Sequence, residues 1–218
     1  MSDTSSLIEP ADSVDAEEAP AARKRPKPGE RRVQILQALA AMLEQPGAER
    51  ITTAALAARL SVSEAALYRH FASKAQMFEA LIDFIESSVF GLINQIGERE
   101  PAGRARAARI VAMVLQFGEK NPGMARVMVG DALVFEHQRL QQRMNQFFDK
   151  LDAALRQSLR DGALADAAEP ATLTPDADAR VRASVLTAFV AGRLQRFARS
   201  GFRRAPSEQL GACIARML

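Results

Sequence analysis

The sequence is short of the residue types that most catalytic and metal-binding chemistries need. Its 218 residues include one cysteine, Cys213, and two histidines, His70 and His137. A single thiol excludes an internal disulfide and a cysteine-rich metal site, and it fits a reducing compartment. The histidines are far apart and neither has a cysteine or histidine at ligand spacing, so no metal is expected. No G-x-x-x-x-G-K-S/T, G-x-G-x-x-G or G-x-S-x-G stretch occurs, and the acidic residues are scattered. An enzyme is not expected, and no cofactor is implied. No run approaches the ~20 apolar residues that span a bilayer. The first residues are polar and acidic, unlike a secretion signal with its basic and apolar regions. The expected location is the cytoplasm.

What is present is a globular composition with an uneven charge distribution. Hydrophobic residues make up 48% and charged residues 25%, enough to bury a sizeable core in one large or two small domains. The net charge of +3 does not select a partner, but its placement is informative. Residues 1–22 carry six acidic residues and no basic one, whereas 23–32 carry six basic residues against Glu30 alone. Residues 1–29 lack aromatics and apolar periodicity and are expected to form a disordered tail. Its basic run, Arg23 to Lys27, fits either a DNA-embracing arm or a solvated tail.

Beyond Glu30 the apolar spacing is helical nearly throughout. Val33, Leu36, Leu39 and Leu43 mark a first helix that ends at Pro46-Gly47. Thr52 or Thr53 caps a short second helix, Ser63 a third, and Ser73 a fourth running to about Ile96. A fifth is expected over 104–118, then a turn at "EKNPG" with Asn121 left-handed and Pro122 opening the next helix. A long helix from about Phe135 to Arg160 places Leu140, Met144, Phe147, Leu151, Leu155 and Leu159 in one stripe. A loop precedes the last long helix, Pro175 to Ser200, and a short one follows from Ser207 to Leu218. No segment alternates with a period of two, so the expected fold is all-α.

The second and third helices are separated by Ser61-Val62 and together span about twenty residues, the layout of a helix-turn-helix. On the third, Leu67 and Phe71 share an inward face, while Ala65, Tyr68 and Arg69 point away. An outward alanine lets the backbone approach base edges, and its methyl suits a thymine methyl. Thr52 and Thr53 lie at a helix N-terminus, where free amides suit a phosphate. Tyr68, His70 and Lys74 bring a hydroxyl, an imidazole and an ammonium, groups that hold a phosphate backbone in register. Arg69 is long enough for guanine O6/N7 or for phosphate.

The stretch "ITTAALAARLSVSEAALYRHFASKAQMFEALI" resembles the DNA-binding domain of the TetR family of bacterial regulators, across residues 31–85. The resemblance implies DNA contacts at Thr53, Ser63, Tyr68, His70 and Lys74. Two positions depart from the family: Ser61 replaces the glycine usual in the turn, and Ala72 replaces a common proline. A left-handed conformation at Ser61 would cost on the order of 1 kcal/mol.

The remainder, above all Gln116 to Asp161, is similar to the nucleoid occlusion branch of that family, and this similarity covers nearly all of 31–206. It implies a protein of the nucleoid that binds palindromic chromosomal sites and, while bound, antagonises polymerisation of the division protein FtsZ. The corresponding partner groove lies between the fourth and fifth helices, at Phe84, Met113, Gln116, Lys120 and Asn121. Leu92 stands where the family tends to carry a basic residue. A homodimer is expected independently: Ser184, Ala188 and Gly192 form a small-residue ridge on the last long helix. Leu186, Phe189, Val190 and Phe197 are expected to add apolar area around it. Arg193, Arg196, Arg199, Arg203 and Arg204 fit a dipole-matched helix end. The expected organisation is a tail at 1–29, a DNA-binding domain at 30–74 and a dimerisation and partner-binding domain at 75–218. A ligand-responsive repressor and an architectural DNA-coating protein remain the alternatives.

Overall fold

The computed structural model describes residues 29–45, 50–163 and 174–218. The expected tail at 1–29, but for Gly29, lies outside these residues, as does the Pro46-Gly47 break. Among the described residues every regular element is helical. The order is α1 (Glu30–Leu43), α2 (Thr53–Arg59), α3 (Glu64–Tyr68), α4 (Lys74–Arg99), α5 (Gly103–Lys120), α6 (Pro122–Met128), α7 (Gln138–Ala163), α8 (Pro175–Arg199) and α9 (Leu210–Met217). A single 3-10 turn, Asp131–Leu133, leads towards α7.

The caps follow from the side chains. The hydroxyls of Thr52, Ser63, Ser73 and Thr174 accept from the amides of Ala55, Ala66, Gln76 and Ala177, satisfying one orphan donor at each helix start. Pro122 and Pro175 open α6 and α8, where a missing N–H costs nothing. Asn121 is not left-handed as expected: its φ is −131°, and its amide instead donates to the Phe117 carbonyl at 2.8 Å. The side chain thereby satisfies a terminal carbonyl of α5 without a backbone reversal.

The core runs through both halves. Ile35, Leu39 and Leu43 of α1 meet Leu56, Leu67 and Phe71, closing a small N-terminal cluster that continues into Met77, Phe78 and Leu81 of α4. All six residues of the α7 stripe are buried, against α4, α5 and α8. Each such side chain contributes roughly 1.5–3 kcal/mol on leaving water. Phe147 packs edge-on between Phe90 and Phe148, with centroids 5.4 and 5.3 Å away. The long helix starts at Gln138 rather than near Phe135, because Gly130 turns left-handed (φ 82°) and Val134 and Phe135 stay in an exposed segment.

A ladder of ion pairs borders the α4–α7 seam. Glu79 meets Arg139 at 2.7 Å, Asp83 and Glu86 meet Arg143 at 2.9 and 2.6 Å, and Lys150 meets Glu86 at 3.4 Å. Burial alone would lower the Arg143 pKa; its hydrogen bonds to Asp83 and Glu86 outweigh that and raise it. No described helix is long and apolar enough to cross a membrane.

Candidate nucleic-acid interface

The α2–α3 turn closes through backbone bonds that leave one residue left-handed. The Val62 amide donates to the Ala57 carbonyl and the Ser61 amide to Ala58, both at 3.0 Å, with Ser61 at φ 53°. That pairing is a Schellman closure, which normally carries glycine at the Ser61 position. Ser61→Gly should therefore stabilise the protein by about 0.5–1 kcal/mol, raising the melting midpoint by about 2 °C. Calorimetry would check this, and an unchanged or lower midpoint would show that the turn is not strained.

With the turn set, α3 presents Ala65, Tyr68 and Arg69 to solvent while Leu67 and Phe71 are buried. The helix is shorter than expected: it ends at Tyr68, Arg69 caps it, and His70 lies in the following turn. Thr53, Glu64 and Tyr68 form one polar group across α2 and α3. The Thr53 hydroxyl donates to Glu64 Oε2 at 2.5 Å, and the Tyr68 hydroxyl lies 3.5 Å from Thr53 Oγ1. Thr52 and Ser63 spend their hydroxyls on caps, which leaves the Thr53–Tyr68 pair as the uncommitted polar edge of α2 and α3 towards a ligand.

Two participants escape the sequence pattern. Glu64 is a carboxylate on the reading surface, able to orient Thr53 or to accept from a cytosine amino group. Arg32 donates to the His70 carbonyl and stacks 4.1 Å above the Phe71 ring, tying the start of α1 to the end of α3. Its adjacency to Arg31 marks it only as basic. Lys74 is not free: its ammonium pairs with Glu136, 62 residues away, while its Nζ lies 5.7 Å from the centroid of the Phe78 ring.

The residues expected to hold a partner peptide divide by exposure. Phe84 is 49% exposed despite its place in the apolar run of α4, and Gln116 and Lys120 of α5 are also exposed. Met113 and Asn121 are half-buried, and Leu92 is 38% exposed two turns beyond Phe84. Because α4 and α5 form a hairpin with a short connection, Phe84 lies at about the level of Gln116 to Lys120.

The small-residue ridge Ser184, Ala188 and Gly192 is exposed on α8, with Phe189 half-buried beneath Arg193. Leu186, Val190 and Phe197, expected beside that ridge, instead point into the protomer's own core. Val181 and Val185 take their place outside, and a groove of about 680 Å³ runs between this face, Phe148 of α7 and Val134. The 181, 185, 188, 192 steps carry that stripe in the sequence, but a helix apolar on two sides does not reveal which side faces out. Among the described residues, no cluster of three or more His, Cys, Asp or Glu could hold a metal.

Known proteins match over most of this architecture. The family model for bacterial regulatory proteins of the tetR family matches residues 35–81, and the SlmA-like model of the tetracyclin repressor-like C-terminal domain matches 103–215. The nucleoid occlusion factor SlmA of Idiomarina loihiensis is 46% identical over 182 residues, covering 84% of this chain and 90% of the relative. That of Citrobacter koseri is 48% identical over 192 residues, 88% of this chain and 94% of the relative.

The chain belongs to the SlmA family of TetR-type regulators.

Solved structures share the fold at much lower identity. The MbdR regulator of Azoarcus sp. CIB gives a TM-score of 0.67 at 15% identity, covering 85% of this chain and 96% of its own. The TetR-family regulator PfmR of Thermus thermophilus gives 0.65 at 18%, covering 85% and 94%. The SlmA-family chain is thus all-α and TetR-like, a helix-turn-helix followed by a larger helical part. Its C-terminal half carries the more specific match, to the SlmA-like model rather than to regulators at large.

Proposed function

We propose that this protein is a nucleoid occlusion factor that binds palindromic chromosomal DNA as a homodimer and, in that state, blocks FtsZ assembly over the nucleoid. The observation that carries the reading is the close relationship to nucleoid occlusion factors across both halves of the chain, C-terminal helices included. Residues 30–74 form the DNA-binding unit and 75–218 the unit for dimerisation and partner binding. Ala65 gives the close approach to base edges, with Tyr68, Arg69, Thr53 and Lys74 around it for phosphate and base contacts. The outward Val181–Gly192 stripe of α8, with α7, joins two copies about a two-fold axis that a palindrome mirrors. The α4–α5 groove takes an acidic-apolar peptide of FtsZ, with Phe84 as apolar floor and Lys120 at the rim.

Sedimentation of FtsZ polymers with this protein, with and without a duplex carrying a site selected by it, tests the reading. The expected result is loss of pelletable polymer only when the duplex is present. If the DNA-bound protein leaves polymers untouched, division inhibition fails as the function. Release of DNA by a small metabolite would instead favour a ligand-responsive repressor.

A further inference from the structure

The α4–α7 ladder is acid on α4 and base on α7 at every rung but one. At the end nearest α3 the polarity reverses: Lys74, the first residue of α4, pairs with Glu136, just before α7. This rung also contains the least solvated carboxylate of the series, with the Glu136 side chain 10% exposed and that of Lys74 25%. The ammonium is therefore held inward, away from the surface that Ala65, Tyr68 and Arg69 present.

A phosphate beside α4 competes with Glu136 for the same ammonium. Once Lys74 turns outward, Glu136 is left as a largely buried carboxylate without its cation, which is costly unless another donor replaces it. A replacement close by along the chain is Arg139, three residues on and half-exposed, now bound to Glu79. Glu79 is more solvated than Glu136 and bears the loss of a partner more easily. The exchange shifts the pairing by one rung and pulls on residues 134–137. Val134 of that segment lines the groove shared with Met144, Phe148, Ala188 and Gly192, the face assigned to the second copy.

We infer that the Lys74–Glu136 pair is a latch opened by DNA: phosphate takes Lys74, Glu136 recruits Arg139, and the 134–137 segment resets beside the α7–α8 face. The inference rests on the DNA-binding reading above and deepens it, supplying a route by which operator binding reaches the C-terminal helices.

The test is a double-mutant cycle on the full chain, with wild type, Glu136→Gln, Lys74→Met and the double variant. Each is titrated with a duplex carrying the tightest site that the wild-type protein selects from random-sequence DNA. Glu136→Gln should tighten binding about three- to tenfold by freeing the ammonium, and Lys74→Met should flatten the salt slope by about two contacts per dimer, one in each half-site. In the Lys74→Met background, Glu136→Gln should matter less than about twofold, since only long-range charge remains. Equal tightening in both backgrounds would overturn the latch in favour of plain charge removal, and no tightening in the wild-type background would show that Lys74 is not withheld. Hydrogen exchange of residues 131–140 reads the second half: DNA should speed it in the wild type, and Glu136→Gln should speed it without DNA. An unchanged rate on DNA addition would also overturn the latch. If none of the four proteins binds the duplex, the DNA-binding reading itself fails, and the latch with it.

Discussion

Ala65→Glu should abolish specific DNA binding while leaving the fold intact. Ala65 is exposed on the outer face of α3 and stands in its first turn, so a glutamate there enters no core and complements the helix N-terminus. Folding stability should stay within about 0.5 kcal/mol of wild type, as for an ordinary surface change. In a major groove the same side chain faces a duplex carrying one negative charge per about 1.7 Å, and it also occupies the space that lets the backbone approach. In the proposed dimer the defect occurs twice, once per half-site. An affinity loss of at least about 100-fold follows if each half-site loses about 1.4 kcal/mol or more. Anisotropy titrations at fixed salt, paired with melting curves, separate lost binding from lost folding. Ala65→Ser, which adds neither charge nor reach, should stay within a few-fold of wild type. Near-normal binding by Ala65→Glu would mean that α3 does not enter the groove.

How much of this was legible in the sequence depends on the range of the interaction concerned. Caps and most periodic stripes are local, and they were, although Val33 of the expected α1 face is exposed and Ile35 is buried in its place. The Thr52, Ser63 and Ser73 hydroxyls each bond the amide three residues on, and the Leu140-to-Leu159 stripe of α7 is buried throughout. Phe84 shows where periodicity loses resolution. It lies three residues from Leu81 and one from Ile85, and that last 100° step carries it over the edge of the buried stripe into solvent. The expected apolar flank of the α8 ridge fails for a related reason. Leu186, Val190 and Phe197 belong to an inner stripe and Val181 and Val185 to an outer one, and hydrophobicity does not label the sides. The Lys74–Glu136 and Arg32–His70 contacts join residues 62 and 38 apart, so only the packed chain brings them together.

Gly103→Ala should be the most disruptive single-methyl change in the helical body. A Cβ on Gly103 would lie 2.1 Å from the Ser158 carbonyl oxygen, 2.4 Å from the Gly162 nitrogen and 2.7 Å from the Gly162 Cα. All three are backbone atoms, so no rotamer change relieves the clash; α5 has to move off α7 by more than 1 Å to restore ordinary contact. Moving it disturbs Ala107, Ile110, Val111 and Val114, which are buried on the same helix face. Overpacking typically costs about 1–3 kcal/mol, and the absence of any soft neighbour puts this case at the upper end. In a chain of this size a loss of about 3 kcal/mol lowers the melting midpoint by about 6–12 °C. Gly97→Ala is the matched control: it lies in α4, a Cβ there meets nothing within 4 Å, and helix propensity alone should stabilise the protein by up to about 1 kcal/mol. The two substitutions add the same methyl, so opposite signs in calorimetry would tie the effect to the α5–α7 crossing rather than to glycine content. A Gly103→Ala protein as stable as wild type would mean that the two helices are not in backbone contact at this point, and the packing of α5 on α7 would have to be redrawn.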